Sequence, residues 1–197
     1  MYNKTSQGHS YEVDQTNRLT LVSLFNYLQD VMIENADSYG ASSTFHYEKG
    51  LAWVLVDYDI DIIDLPSAFE EITCETLPYS FKKYYGYRVY EAKEKQGIIA
   101  KGNGRFVLMD YIHKTLSLPS QEILDLFVDA HKEPKSLPMS KHRLIEGNRL
   151  KTMYFDVRKS DIDLNLPLCL RMLPLQVKVL SGGVFTYEQC KIYRTSN

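Results

Sequence analysis

Between residues 20 and 39 apolar side chains recur at helical spacing. Leu21, Leu24, Phe25, Leu28, Val31, Met32, Ala36 and Tyr39 share one face, and Asn26, Gln29, Asp30, Glu34 and Asp37 take the other. Thr20 is placed to cap the start of this helix and Gly40 its end. Downstream the spacing changes to that of strands. Residues 51–63 (LAWVLVDYDIDII), 71–77, 81–94 and 98–111 are rich in Val, Ile, Tyr and Phe. They often alternate polar with apolar positions, and turn formers such as Asp64-Leu65-Pro66-Ser67 and Gln96-Gly97 separate them. Short connections between successive strands imply antiparallel pairing. The predicted class is α+β: one long helix whose broad apolar face lies against an antiparallel sheet that curls around it.

After Tyr111 the pattern changes. Leu118-Pro119-Ser120 leads into a short amphipathic helix carrying Ile123, Leu124 and Phe127, and Glu133-Pro134 and Leu137-Pro138 then mark a linker. We expect a first unit over residues 1–115, a linker with a short helix over 116–148 and a second unit over 149–197. The charge follows this division. Residues 131–160 hold eight basic and three acidic side chains, a net of +5 in a chain whose total is −2. Such a segment is a solvated linker or a docking site for an acidic partner.

A content of 44% hydrophobic and 24% charged residues over 197 positions excludes disorder and supplies a full core. The near-neutral balance gives no footprint for nucleic acid. Cys74, Cys169 and Cys190 are too widely spaced for a metal clip or a redox pair, so reduced core thiols are expected. No apolar run approaches the ~20 residues of a membrane span, and the first residues lack a signal-peptide pattern. A cytoplasmic protein is expected.

Tyr11-Glu12-Val13-Asp14 is echoed by Ser160-Asp161-Ile162-Asp163, each reading as the end of a strand before a helix, and this suggests a duplicated unit. Taken in order, several segments resemble the acyl-acyl-carrier-protein thioesterases. They are Glu12-Val13-Asp14 with Arg18-Leu19-Thr20-Leu21, then Leu24-Phe25-Asn26-Tyr27-Leu28-Gln29-Asp30, then Gly50-Leu51-Ala52-Trp53-Val54-Leu55. The aromatic and basic strand from Phe81 to Tyr90 follows, and finally Ser160-Asp161-Ile162-Asp163-Leu164-Asn165.

The resemblance implies a tandem pair of hotdog units, each a sheet wrapped on a helix. It also implies hydrolysis of the thioester that joins a fatty acyl chain to acyl carrier protein. The first unit would shape the acyl tunnel and the second carry the chemistry, with neither metal nor organic cofactor. Acyl carrier protein is the implied partner. Of the family signature, an Asp, an Asn two residues on and a His two further, Asp163 and Asn165 match; Pro167 stands at the His position.

Hydrolysis without that imidazole lacks a usual base, and a large loss of rate is expected. The alternative is a catalytically impaired acyl-binding protein derived from the same family. Pro167 and Pro174 also fall where the second long helix would run, at a cost of ~3 kcal/mol or more each. The expectation is a double hotdog whose second repeat is incomplete or altered from Leu166 onward. Val177-Lys178-Val179 and residues 184–193, joined by Ser181-Gly182-Gly183, predict a hairpin that patches the exposed sheet.

Trp53 is the candidate acyl-binding residue, with plain core packing as its alternative. Asp14 and Arg18 are expected to be structural, a pair at a strand and helix junction. Lys82, Lys83 and Arg88 alternate with aromatics, as on a solvent-facing strand side or a contact for an acidic carrier. His9, His46, His113, His131 and His142 are expected on the surface or in loops. An unpaired sheet edge predicts a homodimer.

Overall fold

The computed structural model describes residues 1–130 and 134–139 and the backbone of residues 178–179. Its elements run β1 (Tyr2–Gln7), α1 (Leu21–Ser38), α2 (Ser43–Glu48), β2 (Leu51–Ile62), β3 (Glu71–Lys82), β4 (Tyr85–Glu94), β5 (Gly97–Asp110), β6 (Thr115–Leu116), α3 (Gln121–Leu126) and β7 (Lys178–Val179). The strands form one sheet in the order β1-β3-β4-β5-β2-β7, with β6 added to β5. All pairs are antiparallel except β2 with β7, where Asp61 and Ile62 face Lys178 and Val179 in parallel.

Helix α1 begins where the sequence places it: the Thr20 hydroxyl accepts the Ser23 amide at 3.2 Å. Its buried face of Leu24, Phe25, Leu28 and Val31 packs against Tyr58, Ile60 and Ile62 of β2, Ile72 and Cys74 of β3, Tyr90 and Ala92 of β4, and Ala100 and Phe106 of β5. One helix thus fills the concave side of four neighbouring strands, and the fold is a hotdog. Cys74 lies in this core, where burial pushes its thiol up to about 12, so it is an inert packing residue.

Two irregularities set which side chains face the helix. In β2 the register skips Val56, so that Leu55 opposes Phe106 and Asp57 opposes Arg105. One residue in a bulge switches the strand from odd to even inward positions. Trp53 and Leu55 before it, and Tyr58, Ile60 and Ile62 after it, therefore all pack toward α1, leaving Asp57, Asp59 and Asp61 on the other face. In β3 the register shifts between Pro78 and Ser80. The sequence suggests a strand ending at residue 77 and a new one starting at 81; the chain instead stays paired through Pro78 and turns at Lys83-Tyr84. Beyond Thr76 the strand has lost β1 as a neighbour, so a residue with no amide hydrogen fits there.

Four other expectations are corrected. The Glu12-Val13-Asp14 segment is a turn tied by a single bridge from Val13 to Leu19, because the Asp14 carboxylate accepts the Thr16 and Arg18 amides and curls the chain. Arg18 does not reach Asp14 with its guanidinium, which donates instead to the Leu65 carbonyl at 2.7 Å. Arg88 is buried under the sheet rather than facing solvent, and His46 is buried on α2 rather than lying on the surface.

Strands β1 and helix α2 are absent from the sequence expectations. Helix α3, expected within the linker, packs Ile123, and with it the capping residue Phe127, against Ala41 and against Leu108 near the C-terminal end of β5. Of the expected C-terminal hairpin, Lys178 and Val179 form β7 on the free side of β2, and its remainder lies outside the described residues.

Candidate acyl-binding groove

The C-terminal half of α1, helix α2 and the first residues of β2 enclose a cavity of about 50 Å³ lined by Met32, Ile33, Ala36, His46, Leu51 and Trp53. A second of about 40 Å³ continues beneath α1, lined by Met32, Ala36, Trp53, Phe81, Arg88, Phe106 and Phe127 among others. Met32, Ala36 and Trp53 belong to both. At roughly 10–15 Å³ per water-sized group, the two spaces hold about seven such groups in all. The two neighbouring, mainly apolar spaces, together called the groove below, thus share a wall that includes the Trp53 indole ring.

Trp53 is fixed from three sides. Its indole N–H donates to His46 Nε2 at 3.1 Å. Its ring lies 5.7 Å from that of Phe81. Gly86 leaves room for it: a Cβ there would lie 3.3 Å from the indole and 3.2 Å from Phe81. His46 is held in turn by its other nitrogen, Nδ1, 2.8 Å from the Ser42 carbonyl. A carbonyl only accepts and an indole N–H only donates, so the proton sits on Nδ1 and the ring is neutral. Burial lowers the imidazole below its ordinary value of 6.5; the Ser42 carbonyl opposes this and the Lys49 ammonium adds to it.

Below Trp53 the groove reaches Arg88. Its guanidinium donates to the Asn35 side-chain carbonyl and to the Thr76 hydroxyl, the latter at 3.3 Å. Among the described residues it meets no carboxylate. The Tyr58 and Tyr90 hydroxyls, both buried beside this cluster, have no hydrogen-bonding partner there either.

Of the three sequence candidates the structure positions Trp53, in the wall shared by both cavities. Asp163 and Asn165 lie outside the described residues, as do His131 and His142. No group of three or more metal-ligating side chains occurs among the described residues, and none of their helices is long and apolar enough to cross a membrane. His46 and Arg88 were missed as groove residues. Ser42, able to cap α2, and Gly50, able to follow its end, bracket the short helix in the sequence and signal it.

A family model described as the acyl-ACP thioesterase N-terminal domain matches residues 1–127. The chain belongs to the acyl-ACP thioesterase family. Solved structures share the fold. A protein of Lactobacillus plantarum, provisionally described as an oleoyl thioesterase, superposes with a TM-score of 0.73 at 24% identity over 85% of this chain and 66% of its own. An acyl-ACP thioesterase of Bacteroides thetaiotaomicron gives 0.67 at 21% identity, over 83% and 66%. The 12:0-ACP thioesterase of Umbellularia californica gives 0.65 at 20% identity, over 83% and 68%. The chain thus spans about two thirds of these relatives, and the acyl-ACP thioesterase model covers the part that holds the groove. No curated protein sequence matches significantly.

Proposed function

We propose that this chain acts on fatty acyl-acyl carrier protein, hydrolysing the thioester so that water adds to the carbonyl carbon, the free fatty acid leaves and the carrier thiol is released. The observation that carries this reading is the apolar groove under α1, within the segment that matches the acyl-ACP thioesterase domain. Trp53, Met32, Phe81 and Phe106 give the alkyl chain an apolar wall, and the polar groups beside it are already engaged, His46 by Ser42 and Trp53, Arg88 by Asn35 and Thr76. Asp163 orients the catalytic machinery, and Asn165 holds the water or the thioester carbonyl.

Pro167 at the position of the family histidine favours a second reading, a catalytically impaired protein that binds acyl chains through the same groove. The basic stretch of residues 131–160 suits an acidic carrier under either reading. From Leu51 to Ile60, β2 has β5 as its one strand neighbour among the described residues. An edge of this kind supports pairing of two copies, which sedimentation at micromolar concentration checks.

Release of free thiol from a panel of acyl-acyl carrier proteins, measured for the full chain and for Asn165→Ala, tests the main reading. Turnover that collapses in the variant supports hydrolysis through Asp163 and Asn165. Turnover at the buffer rate in both, with saturable acyl binding, supports the second reading; no binding and no turnover overturn both.

A further inference from the structure

The ring that divides the groove is not held by packing alone. His46 spends both nitrogens on fixed partners, Nδ1 toward the Ser42 carbonyl at 2.8 Å and Nε2 toward the Trp53 indole at 3.1 Å. It is buried, yet it can touch no reacting group, because its one lone pair is already occupied by the indole. The contact therefore connects the cap of α2 to the wall between the two cavities. Met32, which also lines both, is unbranched and can move aside. The indole cannot swing away without giving up its hydrogen bond and leaving His46 Nε2 buried and unpaired.

We propose that His46 is a positioning residue for the groove: by accepting the Trp53 indole N–H it holds that ring as a partition and so limits the length of acyl chain admitted. With the ring in place a chain fills the cavity beside α2 and stops. With the ring displaced it continues toward Phe106 and Phe127. The inference rests on the acyl-binding reading above and adds the residue that sets chain length.

The electrostatic surroundings are simple. Lys49 on the end of α2 is the charged group that acts on His46, and its ammonium is bonded to Glu122 of α3 at 2.9 Å. The residues that α1 and β2 contribute around the ring, Met32, Ile33, Ala36, Leu51 and Ala52, carry no charge, and Tyr47 lies beside it on α2. Protonation of the imidazole would turn Nε2 from acceptor to donor and break the contact with an indole that can only donate.

Trp53 is the single tryptophan of the chain, so its emission reports this site alone. The test uses the full chain, His46→Gln, whose amide oxygen can still accept the indole N–H, and His46→Leu, which cannot. Wild-type emission is expected to titrate with a midpoint below 6.5, and His46→Gln emission to stay flat with pH.

Binding is read with non-hydrolysable, uncharged S-alkyl pantetheine thioethers of increasing length. Wild type and His46→Gln are expected to share one length ranking at neutral pH. His46→Leu should favour longer chains by roughly tenfold, the scale of one methylene in an apolar pocket. Acidification should relax the ranking in wild type and leave it fixed in His46→Gln, a comparison that stands even if His46→Leu does not fold. An unchanged ranking in His46→Leu, or a wild-type ranking insensitive to the fluorescence titration, overturns the proposal alone. Absence of thioether binding by wild type overturns the acyl-binding reading and this proposal with it.

Discussion

Arg88 takes a full charge into the hotdog core, and its surroundings show what offsets the cost. Asn35 and Thr76 satisfy two of its donors. Asn35 also stands in the last turn of α1, where the outward-facing carbonyls of the helix concentrate negative partial charge. Removing one partner leaves the cation underserved. Asn35→Leu is expected to lower stability by about 1.5–3 kcal/mol, measured by urea unfolding. The double change Asn35→Leu with Arg88→Met should recover part of that loss, since no charge then stays buried; equal unfolding midpoints for wild type and the single variant would refute the account.

His46 makes a second prediction at this scale. Its folded-state value lies below the ordinary 6.5, so at acidic pH the unfolded chain binds the extra proton first. The contribution of neutral His46 to stability is whole above 6.5 and is lost as pH falls from there through the lowered folded value. The difference in stability between wild type and His46→Gln should therefore shift against wild type over that window and be constant above it.

Among the elements, α1 was fully legible because its apolar stripe, its threonine cap and the glycine after it agree. Thr20→Ala, which removes the hydroxyl that accepts the Ser23 amide, should cost about 1 kcal/mol in thermal or urea unfolding. Strand β2 was legible as a strand but not in its facing. Strict alternation would put Trp53 on the side of Asp57, Asp59 and Asp61, and only the unpaired Val56 returns it to the helix. Bulges have no firm signal in one sequence, which is also why Pro78 read as a break in β3. Six-residue elements such as β1 and α2 are too short for periodicity to establish, and with α2 went the buried position of His46. Arg88 was misread because aromatics flank it on both faces of β4, so alternation could not say which face was wet.

At the scale of the molecule, the helix-then-sheet order gave the hotdog architecture, and agreement of separated motifs in order gave the family. The residues proposed for catalysis lie beyond the groove in sequence, outside the described residues, so the groove is where the structure adds most. Its most distant connection is also informative. Asp61 and Ile62 pair with Lys178 and Val179, partners separated by more than half the chain. At synthesis rates of about 5–20 residues per second, β2 leaves the ribosome roughly 6 to 23 s before the strand that covers this stretch of its edge. Helix α1 and the four central strands can collapse in that interval with β2 still unsealed. Chaperone dependence, inclusion-body formation and cold-induction rescue in a heterologous host should then follow translation speed over the later half of the message more closely than they follow the stability of the finished protein.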